Sequence, residues 1–297
     1  MKRVKLVQAV VLVVVVLALG VPALVTAQST SRAIVTVNAP WIKQGGLSAV
    51  YVAGDEVTNV TGMFQERTVY FYPSRLGFKT ILSASIDQNP DSYILQLLVE
   101  YSDGTSERID EPVTVVSGGY ATVSLYVAGA LLPLTDPAVE EGEIARVFNL
   151  MDRFTPARYW DGGFVLPSPN ELVAWFGTYR SYNGQSYLSR HTGIDLAVGE
   201  GVPVPASASG RVVLAQPLPI RGGYVLIDHG WGIYSGYAHL SERFVVPGDW
   251  VKQGDIVGLS GMTGRVTGAH IHFEVAVDGA WIDPEEFLAL GLDTASE

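Results

Sequence analysis

The chain of 297 residues carries five histidines, His191, His229, His239, His270 and His272, and none lies before residue 191. It has no cysteine, so thiolate metal sites and disulfides are excluded and any metal must be held by imidazole and carboxylate. The run His270-Ile271-His272-Phe273-Glu274-Val275-Ala276-Val277 has the alternation of a strand. Side chains in a strand point to opposite faces in turn, which puts His270, His272 and Glu274 on one face and Ile271, Phe273, Val275 and Val277 on the other. A second pattern, His191-Thr192-Gly193-Ile194-Asp195, sets an imidazole and a carboxylate four residues apart with a glycine between them. Glycine adopts backbone conformations that other residues avoid, so this segment is expected to bend both side chains onto one ion. His239, in Tyr237-Ala238-His239-Leu240, closes another expected strand.

This chemistry suits a hydrolytic zinc. A catalytic zinc takes three protein ligands and keeps one position for water, whose pKa it lowers from about 15.7 to about 7. Two histidines and one carboxylate meet that count, and the remaining imidazoles are left to manage protons or oxyanion charge. The same donor set also suits a non-haem iron oxygenase. His229, in Asp228-His229-Gly230 at an expected turn, reads as a structural, hydrogen-bonded histidine.

Together these residues resemble the lysostaphin-like (LytM-type) zinc metallopeptidases, which cut peptidoglycan peptides. The family pattern is HxGxD, then Tyr-x-His-Leu, then HxH, matched here by His191–Asp195, Tyr237-Ala238-His239-Leu240 and His270-Ile271-His272. Phe176-Gly177, Arg180, Asn183-Gly184, the stretch 251–258 and the glycines of 264–268 extend the resemblance over about 164–284. Ala269 departs from the Pro or Ser more typical beside HxH, but it contributes no ligand. The resemblance implies one Zn²⁺ held by His191, Asp195 and His272. It implies His270 as general base and His239 as stabiliser of the tetrahedral intermediate, with the assignment of proton transfer between those two left open. The expected activity is that of a secreted zinc endopeptidase on peptidoglycan stem peptides or cross-bridges. The alternative is a non-catalytic envelope module that activates a wall amidase; the complete ligand set speaks against it.

The elements that must position these residues read as mainly β. Short apolar stretches at 33–37, 49–53, 68–72, 93–101 and 113–116, with Asp103-Gly104 as a hairpin turn, suggest a β-sandwich-like accessory domain over 30–118. Asp136 as cap, Pro137 at the first helical position and Ile144, Val147, Phe148, Met151 and Phe154 at helical spacing predict one helix in a linker over 119–163. Strands at 202–206, 210–215, 224–229, 232–238, 256–260 and 270–277 predict a C-terminal antiparallel β metallopeptidase domain over 164–290.

Composition narrows the setting. A formal net charge of −11 argues against nucleic acid as a partner, because phosphate binding needs clustered Lys and Arg. Lys2, Arg3 and Lys5, then an apolar run and Val25-Thr26-Ala27, read as a signal peptide over 1–27. Cleavage would remove three positive charges and no acid; an uncleaved segment would instead tie the protein to a membrane. Either reading places the protein outside the cytoplasm.

Overall fold

A computed structural model describes residues 31–291, so the export segment expected over 1–27 lies outside the described residues. The chain is mainly β, and its first half builds two sheets. One has four strands, in the order Ile34–Val37, Leu47–Ala53, Gly77–Ser83 and Tyr72–Ser74. The other has five, in the order Trp41–Lys43, Ser106–Val116, Asp91–Tyr101, Val57–Phe64 and Arg67–Tyr70. Alternation along Asp91–Tyr101 sends Leu95, Leu97 and Val99 inward, where they meet Val50, Val52 and Leu82 of the first sheet in a shared core. The hairpin between the two longest strands turns at Asp103-Gly104. Gly104 has φ +80°, and Asp103 accepts from the Thr105 amide at 2.9 Å.

The C-terminal half builds an eight-stranded sheet whose pairings are all antiparallel. Its path runs Leu172–Ala174, Ile194–Leu196, Ile271–Val277, Ile233–Leu240, Gly222–Gly230, Gly210–Leu218 and Trp250–Val251, with Ala280–Ile282 paired to Ile271–Val277. The strand Ile271–Val277 is central and every residue of it is buried. Neighbours cover both of its faces, and the histidines sit in a cleft at the strand's start. His270 lies just before the strand, paired to Gly261 as an isolated bridge.

Helix α1, Pro137–Met151, begins where the sequence expects, with Asp136 accepting from the Ala138 amide. It is not a free linker, however. Val147 and Met151 are buried in the same core as Ile194, Phe273 and Val275 of the C-terminal sheet, worth about 1.5–3 kcal/mol each against exposure. Phe154 falls beyond the helix and stacks on Tyr70, with ring centroids 3.7 Å apart. Helix α1 also buries Glu140 and Glu143, which pair with Arg265 and Arg221 in the connections between strands of the C-terminal half. A short second helix, α2 (Pro284–Ala289), is capped by Asp283. Among the described residues, no helix is long and apolar enough to cross a membrane.

Gly193 has a steric rather than a conformational purpose. Its φ is not positive, but a Cβ there would stand 2.2 Å from the Phe273 carbonyl oxygen. The residue lets the HxGxD segment press against the central strand. Gly193→Ala should therefore force the two backbones apart and cost roughly 1–3 kcal/mol or more. Urea unfolding of the variant checks this; an unchanged midpoint would refute the steric account.

Candidate metal centre

Strand register brings the two motifs together. In the pairing of Ile194–Leu196 with Ile271–Val277, Asp195 stands directly opposite His272. On the other side, Ala238 stands opposite His272, so His239 follows one residue on, at the mouth of the same cleft. His191 lies between Ser189–Arg190 and Ile194–Leu196, with its amide bound to the Thr178 carbonyl at 3.0 Å and its carbonyl accepting from Gly177 at 2.8 Å. Three donor atoms converge: His191 Nε2 and Asp195 Oδ1 are 2.8 Å apart, His272 Nδ1 and Asp195 Oδ1 2.8 Å, and His191 Nε2 and His272 Nδ1 2.9 Å. All three residues are buried, at 2%, 6% and 6% exposure for His191, Asp195 and His272. Among the described residues they are the one such group of three close-set His, Asp or Glu ligand atoms.

The donors fit a zinc ion. Bonds of about 2.0–2.2 Å in a tetrahedron set ligand atoms roughly 3.3–3.5 Å apart, so these three need to spread by about half an ångström. Their outer partners already select the right ring nitrogens. His191 Nδ1 lies 2.8 Å from the Trp175 carbonyl oxygen, which accepts its proton and leaves the Nε2 lone pair facing the cluster. His272 Nε2 lies 3.1 Å from Glu274 Oε1, which likewise takes that proton and turns Nδ1 inward. Arg180 donates to Asp195 Oδ2 at 2.9 Å, holding the oxygen that does not face the histidines.

Electrostatics follow from this packing. Burial opposes the charged form of Asp195, yet His191 and His272 outweigh it and hold the carboxyl well below its usual range. Burial drives His191 down to about 4 despite Asp195. For His272 burial acts the same way, but Asp195 and Glu274 on its two ring nitrogens reverse the outcome and raise it.

His239 and His270 stand beside the cluster without joining it. His270 Nε2 is 3.7 Å from Asp195 Oδ1, and the rings of His239 and His270 are 4.7 Å apart. Both commit Nδ1 to a backbone carbonyl, His239 to Thr263 at 2.8 Å and His270 to Gly268 at 2.9 Å. Each therefore keeps Nε2 as a free base. Burial lowers the pKa of both, His239 the more strongly, with the neighbouring imidazoles adding to the effect. His239 also has φ +62°, a region uncommon for residues other than glycine, and is held there by its amide bond to the Arg221 carbonyl at 2.8 Å.

Some residues at the site carried no recognisable sequence signal. Glu274 was placed on the histidine face, but its partners were not foreseen: Arg221, Tyr224 and Thr192 all donate to it. Arg221 pairs in turn with Glu143 of α1. Residues this far apart in the chain share no periodicity, so only the fold reveals them. Glu140 and Ile144 of α1, with Tyr182, Arg190 and Arg265, line the cleft next to His191 and His272.

His229 has the structural role expected of it. It is fully buried, with Nδ1 bound to the Ser209 carbonyl at 2.9 Å and Nε2 2.7 Å from the Ser235 hydroxyl.

Comparison with known proteins agrees with this geometry. Residues 189–284 match the family described as peptidase family M23. The chain is 46% identical over 154 residues to peptidoglycan DD-endopeptidase ShyA of Vibrio cholerae, a match covering 47% of this chain and 36% of that protein. It is 40% identical over 94 residues to DD-carboxypeptidase/endopeptidase Mpg of Neisseria meningitidis, covering 32% of this chain and 22% of the relative. The crystal structure of a Pseudomonas aeruginosa protein assigned to peptidase M23 superposes with a TM-score of 0.63 at 26% identity, over 84% of this chain and 95% of that one. A mainly β peptidase fold with a converged His–Asp–His cluster is thus the class. Residues 189–284 belong to peptidase family M23. The chain spans about a third or less of the length of the curated relatives it matches first.

Burial pushes His229 down to about 4, while in the unfolded chain it titrates near 6.5. Below about pH 6.5 the unfolded state then binds the extra proton, so stability falls as pH drops towards 4. Between pH 7 and 4.5 this residue alone should cost about 2–3 kcal/mol. Urea unfolding across that range should show a shallower pH slope for His229→Gln than for the parent chain; equal slopes would refute the assignment.

Proposed function

We propose that the protein is an exported zinc endopeptidase that hydrolyses peptide bonds in peptidoglycan stem peptides or cross-bridges. The observation that carries this reading is the convergence of His191 Nε2, Asp195 Oδ1 and His272 Nδ1 in a buried cluster flanked by two imidazoles with free Nε2 atoms. The names of the relatives, peptidoglycan DD-endopeptidases among them, supply the substrate class. Export rests on the basic and apolar start of the chain and on the location of that substrate.

Zinc held by His191, Asp195 and His272 would supply Lewis acidity to a water and to the peptide carbonyl. The chain's own groups do the rest. His270, neutral at pH 7 and with Nδ1–H committed to Gly268, accepts the water's proton at Nε2. The same imidazole, now carrying that proton, can pass it to the leaving amine. His239 faces the developing negative charge on the carbonyl oxygen. With Nδ1–H committed to Thr263, it donates from Nε2 only when it holds a second proton, which a nearby oxyanion favours. Arg180 keeps Asp195 oriented throughout by its bond to Oδ2. A non-catalytic module would have no use for two such bases beside a complete ligand set.

Full-chain variants separate the roles. His272→Ala should lose both bound zinc and wall-cleaving activity. His270→Ala should keep zinc at about one ion per chain and lose roughly 10²–10⁴-fold in rate. Metal analysis paired with mass spectrometry of digested peptidoglycan checks both. Full cleavage by the His272 variant would overturn the proposal.

A further inference from the structure

A chain of buried charges runs from helix α1 to the metal centre, and it begins outside the residues 189–284 that match the family. Glu143 is 4% exposed. Its carboxylate accepts from the Ile220 amide at 2.6 Å, from the Arg221 amide at 3.1 Å and from Arg221 Nη1 at 2.9 Å. One carboxylate thus grips both the backbone and the side chain of Arg221. The opposite edge of that guanidinium forks onto Glu274, with Nε to Oε2 at 3.0 Å and Nη2 to Oε1 at 2.6 Å. Glu274 is fixed further by Tyr224 Oη at 2.8 Å and by the Thr192 hydroxyl, and its Oε1 stands 3.1 Å from His272 Nε2. The Arg221 carbonyl in turn holds the His239 amide.

A buried carboxylate is costly unless its partners are complete, and an apolar residue would have secured α1 more cheaply. Helix α1 already has Val147 and Met151 for that purpose. The charges instead lead to two imidazoles of the site. We propose that Glu143 is a positioning residue of the metal centre: through Arg221 it fixes Glu274, which sets the tautomer and ring orientation of His272, and it fixes the backbone turn that places His239. Helix α1 is accordingly part of the catalytic unit rather than an approach to it. The inference rests on the zinc reading above. It would also explain why an arginine, with its rigid fork, occupies position 221: a lysine is a point charge that cannot bridge two carboxylates in this way.

The test reads zinc affinity rather than cleavage, by competition against a chelating dye on the folded full chain at pH 7. Glu143→Gln should weaken zinc by about 10–100-fold, the usual effect of losing an outer-shell partner. Val147→Ala is the control. It loosens the packing of the same helix against the core without touching a charge of the relay or the cleft, and it should leave zinc affinity within about threefold of the parent, well short of that outer-shell loss. Glu274→Gln should weaken zinc as well. The double variant with Glu143→Gln should lose less than the product of the single losses, because both act through one relay. If Glu143→Gln does not fold, Arg221→Lys takes its place, with the same loss expected. Parental zinc affinity in folded Glu143→Gln or Arg221→Lys overturns the relay while leaving the zinc reading intact. Equal losses for Val147→Ala and Glu143→Gln also overturn it, since they would reflect general loosening of α1. A parent chain that binds no zinc overturns both.

Discussion

The pairing of Asp195 with His272 across two antiparallel strands is the constraint on which the site depends. Antiparallel register comes in whole residues, and a slip of one would send every side chain of the shorter strand to the other face. The register is secured from both sides. Ile194 and Leu196 bury their side chains in the main core, and the absent side chain of Gly193 lets the backbone approach Phe273. Once that pair is set, His191 needs only the turn before the strand to reach the same point, and His239 arrives from the neighbouring strand one residue past Ala238. The sheet thus orders the donor atoms of His191, Asp195 and His272 in advance, which would keep the ordering cost of binding an ion small.

Each imidazole at the site is tied at its outer nitrogen, and the ties differ in kind. Three histidines use backbone carbonyls: Trp175 for His191, Thr263 for His239 and Gly268 for His270. His272 alone uses a carboxylate, Glu274. A carbonyl acceptor leaves its partner a neutral base in a dry setting. A carboxylate adds negative charge and makes the ring a stronger donor towards a metal. That charge must be balanced inside the protein, which accounts for Arg221, and Asp195 is balanced in the same way by Arg180. The acceptor thus sets His272 apart from the other three rings, while the position of its Nε2 against Asp195, not its acceptor, sets His191 apart from His239 and His270.

The first half of the chain is not remote from this centre. Glu140 of α1 pairs with Arg265 at 2.7 Å, and Asp87 pairs with Arg190 at 2.5 Å; both arginines line the cleft. Ile86 packs into the same core as the C-terminal sheet, and Tyr72 stacks on Trp231 with centroids 3.7 Å apart. The cleft is therefore walled partly by residues that precede the family match.

Much of this was legible in the sequence, because strand alternation and short motifs are local. The His-x-His alternation, the HxGxD spacing and the Asp136-Pro137 helix start each reside within a few residues, and each corresponds to an element where it was expected. His229, read as structural from its place at an expected turn, is hydrogen-bonded at both ring nitrogens. What the sequence could not decide was everything that depends on register and on packing between distant segments. It read Gly193 as a hinge, where tertiary contact makes it a point of close approach. It read α1 as a linker, because amphipathic spacing says which face is buried but not against what. Above all it could not join Glu143, Arg221 and Glu274. Charges separated by dozens of residues interact only after the chain has folded and water has been excluded between them, so residue types and spacing offered His191, Asp195 and His272 as candidates while the tertiary structure alone decided that their donor atoms converge and what holds them in place.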